Sequence, residues 1–83
     1  MTHIGDVTTW DTGCTEYEQA RKVMEEAQEV WSAVYWDEGD DRVKAECADV
    51  IQATCNLLAM LGVEDFEPYM AECLEVQRGR GRL

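Results

Sequence analysis

Five carboxylates at helical spacing could hold a hard metal ion. Glu25, Glu26 and Glu29 stand in the run Glu25-Glu26-Ala27-Gln28-Glu29, and Glu46 and Asp49 in Glu46-Cys47-Ala48-Asp49. Residues three apart on a helix share one face, so Glu26 pairs with Glu29 and Glu46 with Asp49. Every candidate donor is an oxygen, with no histidine or thiolate at the same spacing, which suits Mg²⁺ or Mn²⁺. From Cys47 to Val63 the chain is almost wholly apolar, apart from Asp49, Gln52, Thr54, Asn56 and Gly62. A helix apolar on nearly every side is a buried one. A buried carboxylate needs a partner, and a metal ion is one of the few good ones. Plainer readings exist: a solvated acidic face for Glu25, Glu26 and Glu29, and a dipole-stabilised N-terminal acid for Glu46.

The elements that must position these acids are helices. Thr15 followed by Glu18 fits a capping box, so α1 is expected to start there. Tyr17, Ala20, Met24, Ala27, Trp31 and Val34 then recur at steps of three and four, carrying the helix to about Tyr35 or Trp36. Asp37-Glu38-Gly39-Asp40-Asp41 breaks it, and Asp40 or Asp41 can cap the next helix. α2 is expected over about Arg42–Leu61, with Gly62 as the residue just past its end. α3 follows over about Phe66–Gln77, with Pro68 in its first turn and Phe66, Tyr69, Met70, Cys73 and Leu74 as its buried stripe. Residues 1–14 form an N-terminal arm or loop, 15–77 the helical domain, and 78–83 a basic, glycine-rich flexible tail. The fold class is therefore all-α, with α1 and α2 antiparallel and their acidic stripes face to face.

Composition narrows the function further. The 83 residues carry 18 acids against 7 bases, a net charge of −11. That argues against a generic nucleic-acid binder, which needs basic patches, and against binding anionic membranes. An acidic protein that handles phosphates must recruit a cation. The cysteines Cys14, Cys47, Cys55 and Cys73 form no C-x-x-C pair, and His3 is the only histidine, so neither a zinc finger nor a histidine-ligated di-iron bundle is expected. The free cysteines and the first ten residues, which lack a basic or apolar leader pattern, predict a cytoplasmic protein. Residues 47–63 are short for a membrane span and interrupted by polar groups.

The acidic pattern resembles a known family. E-E-x-x-E, a gap of sixteen residues, then E-x-x-D is similar to the signature of the MazG-like all-α nucleoside triphosphate pyrophosphohydrolases. The continuation from Asp49 to Ala59, with Asn56 seven after the aspartate, looks like that family's second helix. The resemblance covers roughly residues 18–77. It implies Mg²⁺-dependent cleavage between the α- and β-phosphates of a nucleoside triphosphate, with Mn²⁺ a possible substitute. It implies Glu26, Glu29, Glu46 and Asp49 as metal ligands, and Glu25 and Glu29 as catalytic residues, Glu25 orienting the water or holding a further ion. Asn56 would contact substrate. The family's phosphate-holding base after the second helix has no obvious counterpart; Lys44, Lys22, Arg78, Arg80 and Arg82 are the candidates. The related phosphoribosyl-ATP pyrophosphohydrolases usually carry a histidine four after the aspartate; Ala53 stands there, which tells against histidine biosynthesis.

For the nucleotide base, Trp36 at the end of α1 and Trp10 in the arm are the stacking candidates, whereas Trp31 is expected in the core. Three helices cannot cover an α2 that is apolar on nearly all sides, so a homodimer or tetramer is expected, with α2 central to a bundle formed by several chains. The alternatives to an enzyme are a non-catalytic acidic adaptor and a nucleotide-binding regulator without turnover.

Overall fold

A computed structural model describes all residues 1–83. It contains α1 (Glu16–Tyr35), α2 (Asp40–Met60) and α3 (Glu67–Gly79), and no strand. The capping box forms. Thr15 Oγ1 accepts from the Glu18 backbone N–H at 3.1 Å, and Thr15 N donates to Glu18 Oε1 at 3.4 Å. Because these bonds satisfy donors that α1 cannot satisfy internally, Thr15→Ala is expected to cost about 1 kcal/mol. Chemical denaturation of the two proteins at one concentration checks this.

The start of α2 differs from expectation. Gly39, at φ 100°, is its N-cap and offers no side chain, while Asp40 and Asp41 sit inside the first turn. There they face the positive end of the helix dipole rather than capping it. The connection works through α1's C-terminus. Asp37 adopts φ 51°, with Glu38 N donating to Ala33 O at 3.0 Å and Asp37 N to Val34 O at 3.2 Å. This is the left-handed helix stop that a glycine usually makes. Gly62 closes α2 in the same way at φ 77°, as its position predicts. α3 runs two residues further than expected and ends before Gly81 at φ 71°.

α1 and α2 pack as an antiparallel hairpin, and α3 packs against neither. Only Gln19, Ala33, Glu46, Ala53 and Asn56 are buried, and just two of these are apolar. The expected α3 stripe is therefore uncovered within one chain: Phe66, Tyr69, Met70 and Leu74 are all exposed. Trp31, expected in the core, is 62% exposed. It stacks on Tyr35 at 4.7 Å, and Tyr35 meets Trp36 edge-on at 4.9 Å. A periodic stripe specifies which face is apolar, not what covers it. A compact monomer of this 9.5 kDa mass would expose about 5,000 Å², whereas this chain exposes 6799 Å². Its radius of gyration, 14.4 Å, likewise exceeds the ~12 Å of a compact domain of this length. No helix is long and apolar enough to cross a membrane.

The N-terminal arm has no regular structure but lies along α2. Gln52 Nε2 donates to Thr8 O at 2.9 Å, and Trp10 N donates to Asn56 Oδ1 at 3.4 Å. The arm and α2 enclose a hollow lined by Ile4, Val7, Val43, Cys47 and Ile51. The polar composition of residues 1–14 gives no hint of this docking, which uses backbone groups of the arm rather than a periodic side-chain face.

Candidate metal centre

The hairpin brings three of the five acids together. Glu26 from α1 and Glu46 and Asp49 from α2 each place a carboxylate oxygen within 4.8 Å of the others. Glu46 is only 6% exposed, Glu26 is half-buried, and Asp49 lies open to solvent. Gln19 fixes the register of the helices: its Nε2 donates to Ala53 O at 2.9 Å from a buried position. Its Oε1 accepts from Cys14 Sγ at 3.3 Å, which ties the end of the arm to the same seam.

Two of the three acids already have a cation one turn upstream. Lys22 Nζ lies 2.8 Å from Glu26 Oε1, and an Arg42 guanidinium nitrogen lies 2.8 Å from Glu46 Oε1. The hydrogen bond to Glu26, with the charges of Glu26, Glu25 and Asp49 behind it, holds the Lys22 ammonium above the ordinary lysine range. Asp49 has no cation partner among the ion pairs of the chain. Both pairs have the i, i+4 spacing of helical ion pairs.

Beside the cluster opens a cavity of about 660 Å³, lined among others by Trp10, Lys22, Glu25, Gln52 and Asn56. That volume falls in the usual range for small-molecule sites, roughly 300–1,000 Å³. Asn56 is 3% exposed. Its Oδ1 accepts from Trp10 N and, at 3.2 Å, from Gln52 Nε2.

The remaining sequence candidates are dispersed. Glu29 is exposed and lies outside the three-acid cluster. Glu25 lines the cavity without joining the cluster. Lys44 lines the hollow between arm and α2. Trp36 stands exposed on the aromatic patch of α1 and is not among the cavity residues. Arg78 is on α3, 3.3 Å from Glu75, and α3 packs against neither of the helices that carry the acids. Sequence reasoning passed over Gln19 and Gln52, two polar residues whose partners are backbone carbonyls distant in sequence. It also passed over the two ion pairs, although the four-residue spacing of Lys22–Glu26 and Arg42–Glu46 is a legible signal.

No family model, curated protein or solved structure matches the chain. The residues themselves must carry the functional reading. An all-carboxylate donor set fits a hard divalent cation such as Mg²⁺. If Glu26, Glu46 and Asp49 hold one in the folded state only, Mg²⁺ at a hundredfold excess over its dissociation constant adds roughly 2.7 kcal/mol of stability. Melting in millimolar Mg²⁺ and in chelator reads this directly. Equal melting temperatures would argue against the centre.

Proposed function

We propose that the chain is a Mg²⁺-dependent nucleoside triphosphate pyrophosphohydrolase that releases a nucleoside monophosphate and pyrophosphate. The supporting observation is the convergence of Glu26, Glu46 and Asp49 from two helices beside a ligand-sized cavity. These three residues would hold the ion. When bound, Mg²⁺ supplies charge neutralisation of the phosphates and a lowered pKa for water. Glu25, which lines the cavity next to Glu26, accepts the proton of the attacking water. Water oxygen bonds to the α-phosphorus as the bridging bond to the β-phosphate breaks, and the electron pair leaves with pyrophosphate. Phosphoryl transfer of this kind is mostly positioning and electrostatics, so no serine, cysteine or histidine nucleophile is required. Trp10, at the cavity wall, offers a flat face to the base, and Asn56 anchors the arm that carries Trp10.

The working form in this reading is a homodimer or tetramer. The surplus exposed area, about 1,800 Å² over a compact monomer, is of the size obligate dimers bury per chain.

A panel of nucleoside triphosphates, each incubated with the protein and Mg²⁺, tests the reading by pyrophosphate release. Release from at least one nucleotide, silenced by chelator, is expected. No release from any, at protein levels that bind Mg²⁺, counts against it. A second reading is a non-catalytic acidic adaptor. The Lys22–Glu26 and Arg42–Glu46 pairs favour it, since they give two of the acids cationic partners within the chain.

A further inference from the structure

We propose that Lys22 is the phosphate-holding group of this site, freed for that role when a divalent cation takes Glu26 from it. The inference rests on reading the three-acid cluster as a metal centre. It answers a question the sequence leaves open: a chain of net charge −11 with only 7 bases must still grip a polyanion.

Elimination on position is sharp. Only Arg21 and Lys22 among the bases line the cavity. The Arg21 guanidinium lies over the Tyr17 ring at 5.4 Å, turned toward a side chain outside that lining. Arg42 pairs with Glu46 of the cluster but does not line the cavity. Lys44 faces the other hollow. Arg78 and Arg82 bond to Glu75 and Gln77 within the α3 region, and Arg80 caps the end of α3. Lys22 alone combines a place in the cavity with an ammonium at the cluster.

The geometry also makes Lys22 a competitor of the ion. Its Nζ sits 2.8 Å from an oxygen of the carboxylate that Glu26 contributes to the cluster. A divalent cation among Glu26, Glu46 and Asp49 draws on that carboxylate more strongly than a single ammonium does. The Lys22 side chain is 56% exposed and has a flexible four-carbon stem, so the released ammonium can turn into the cavity. Asn56, almost wholly buried, lines the same cavity, and its Oδ1 is engaged by Trp10 and Gln52. A free ammonium in that cavity suits phosphate oxygens. Binding of the ion and of the anion is thereby coupled: the cation frees the group that the anion needs.

The test compares Lys22→Gln and Lys22→Arg with the wild-type chain by calorimetry, without turnover. Mg²⁺ is titrated alone; inorganic triphosphate is then titrated in saturating Mg²⁺. Lys22→Gln is expected to bind Mg²⁺ several-fold more tightly, because its competitor is gone, and triphosphate about tenfold more weakly, for want of a charge-assisted hydrogen bond. Lys22→Arg should recover most of the triphosphate affinity. Opposite signs for cation and anion are the signature, since a merely structural lysine would weaken both or neither. Unchanged triphosphate affinity in Lys22→Gln, or unchanged or weaker Mg²⁺ binding, overturns the proposal. Opposite shifts in a protein that hydrolyses no nucleotide would uphold Lys22 and refute the hydrolase. A wild-type chain that binds no Mg²⁺ overturns both.

Discussion

Asp49→Asn is expected to weaken Mg²⁺ binding by on the order of 100-fold or more and to lower pyrophosphate release at least as far, while leaving the metal-free fold intact. Loss of a group that merely orients a ligand costs about 10–100-fold, and a direct ligand should cost no less. Asp49 is the cleanest acid to change. It is exposed and has no cation partner of its own. Replacing it removes one negative charge from a cluster whose oxygens lie within 4.8 Å, so the melting temperature in chelator should stay level or rise. Glu46→Gln is a poorer probe, because Glu46 is buried on Arg42 and its loss strips that cation of its partner. An adaptor that uses its acids only as a charged face would keep its Mg²⁺ affinity in Asp49→Asn. Calorimetric titration of both proteins with Mg²⁺ separates the two readings.

Leu57→Asp is expected to break the assembly and the activity together. Leu57 is half-buried in the lone chain, on a helix whose apolar residues outnumber those α1 covers. Burying a leucine is worth roughly 1.5–3 kcal/mol, and a symmetric dimer loses that contact twice. Since Leu57→Asp also disturbs the hairpin, Leu74→Asp on α3 is the companion variant. Leu74 is 47% exposed, on a helix that packs on neither neighbour. In a chain that works alone the change is close to silent, typically within about 0.5 kcal/mol. In an assembly that covers α3 it dissociates the subunits. Light scattering should give wild-type particles at two or four times the 9.5 kDa chain and smaller ones for both variants. A folded, active wild-type particle of one chain would contradict the assembly.

Much of the framework was legible because it depends on local rules. Thr15 and Glu18 announce the start of α1, Gly62 the end of α2, and the three-residue spacing of Glu46 and Asp49 their shared face. Glu26 and Glu29 show where spacing runs out. Residues three apart on a helix still differ by about 60° in direction, and only Glu26 faces the α2 acids. Trp31 and the α3 stripe show a second limit. Their periodicity is real, yet in one chain they remain exposed, because the pattern says nothing of the covering partner. The docking of the arm was invisible for another reason. Thr8 and Trp10 bind Gln52 and Asn56 through backbone groups, which every residue carries and no composition reveals. The separation of Lys22 from Lys44 and Arg78 likewise needs three dimensions. Lys44 and Lys22 lie on different helices facing different hollows.

The most direct test of the central claim is phosphorus NMR of a hydrolysed nucleoside triphosphate, recorded with the wild-type protein in Mg²⁺ and in chelator. Resonances of nucleoside monophosphate and pyrophosphate appearing together, in equal amounts and only with the metal, are the expected result. Orthophosphate with nucleoside diphosphate as the products, or turnover that persists in chelator, would contradict it.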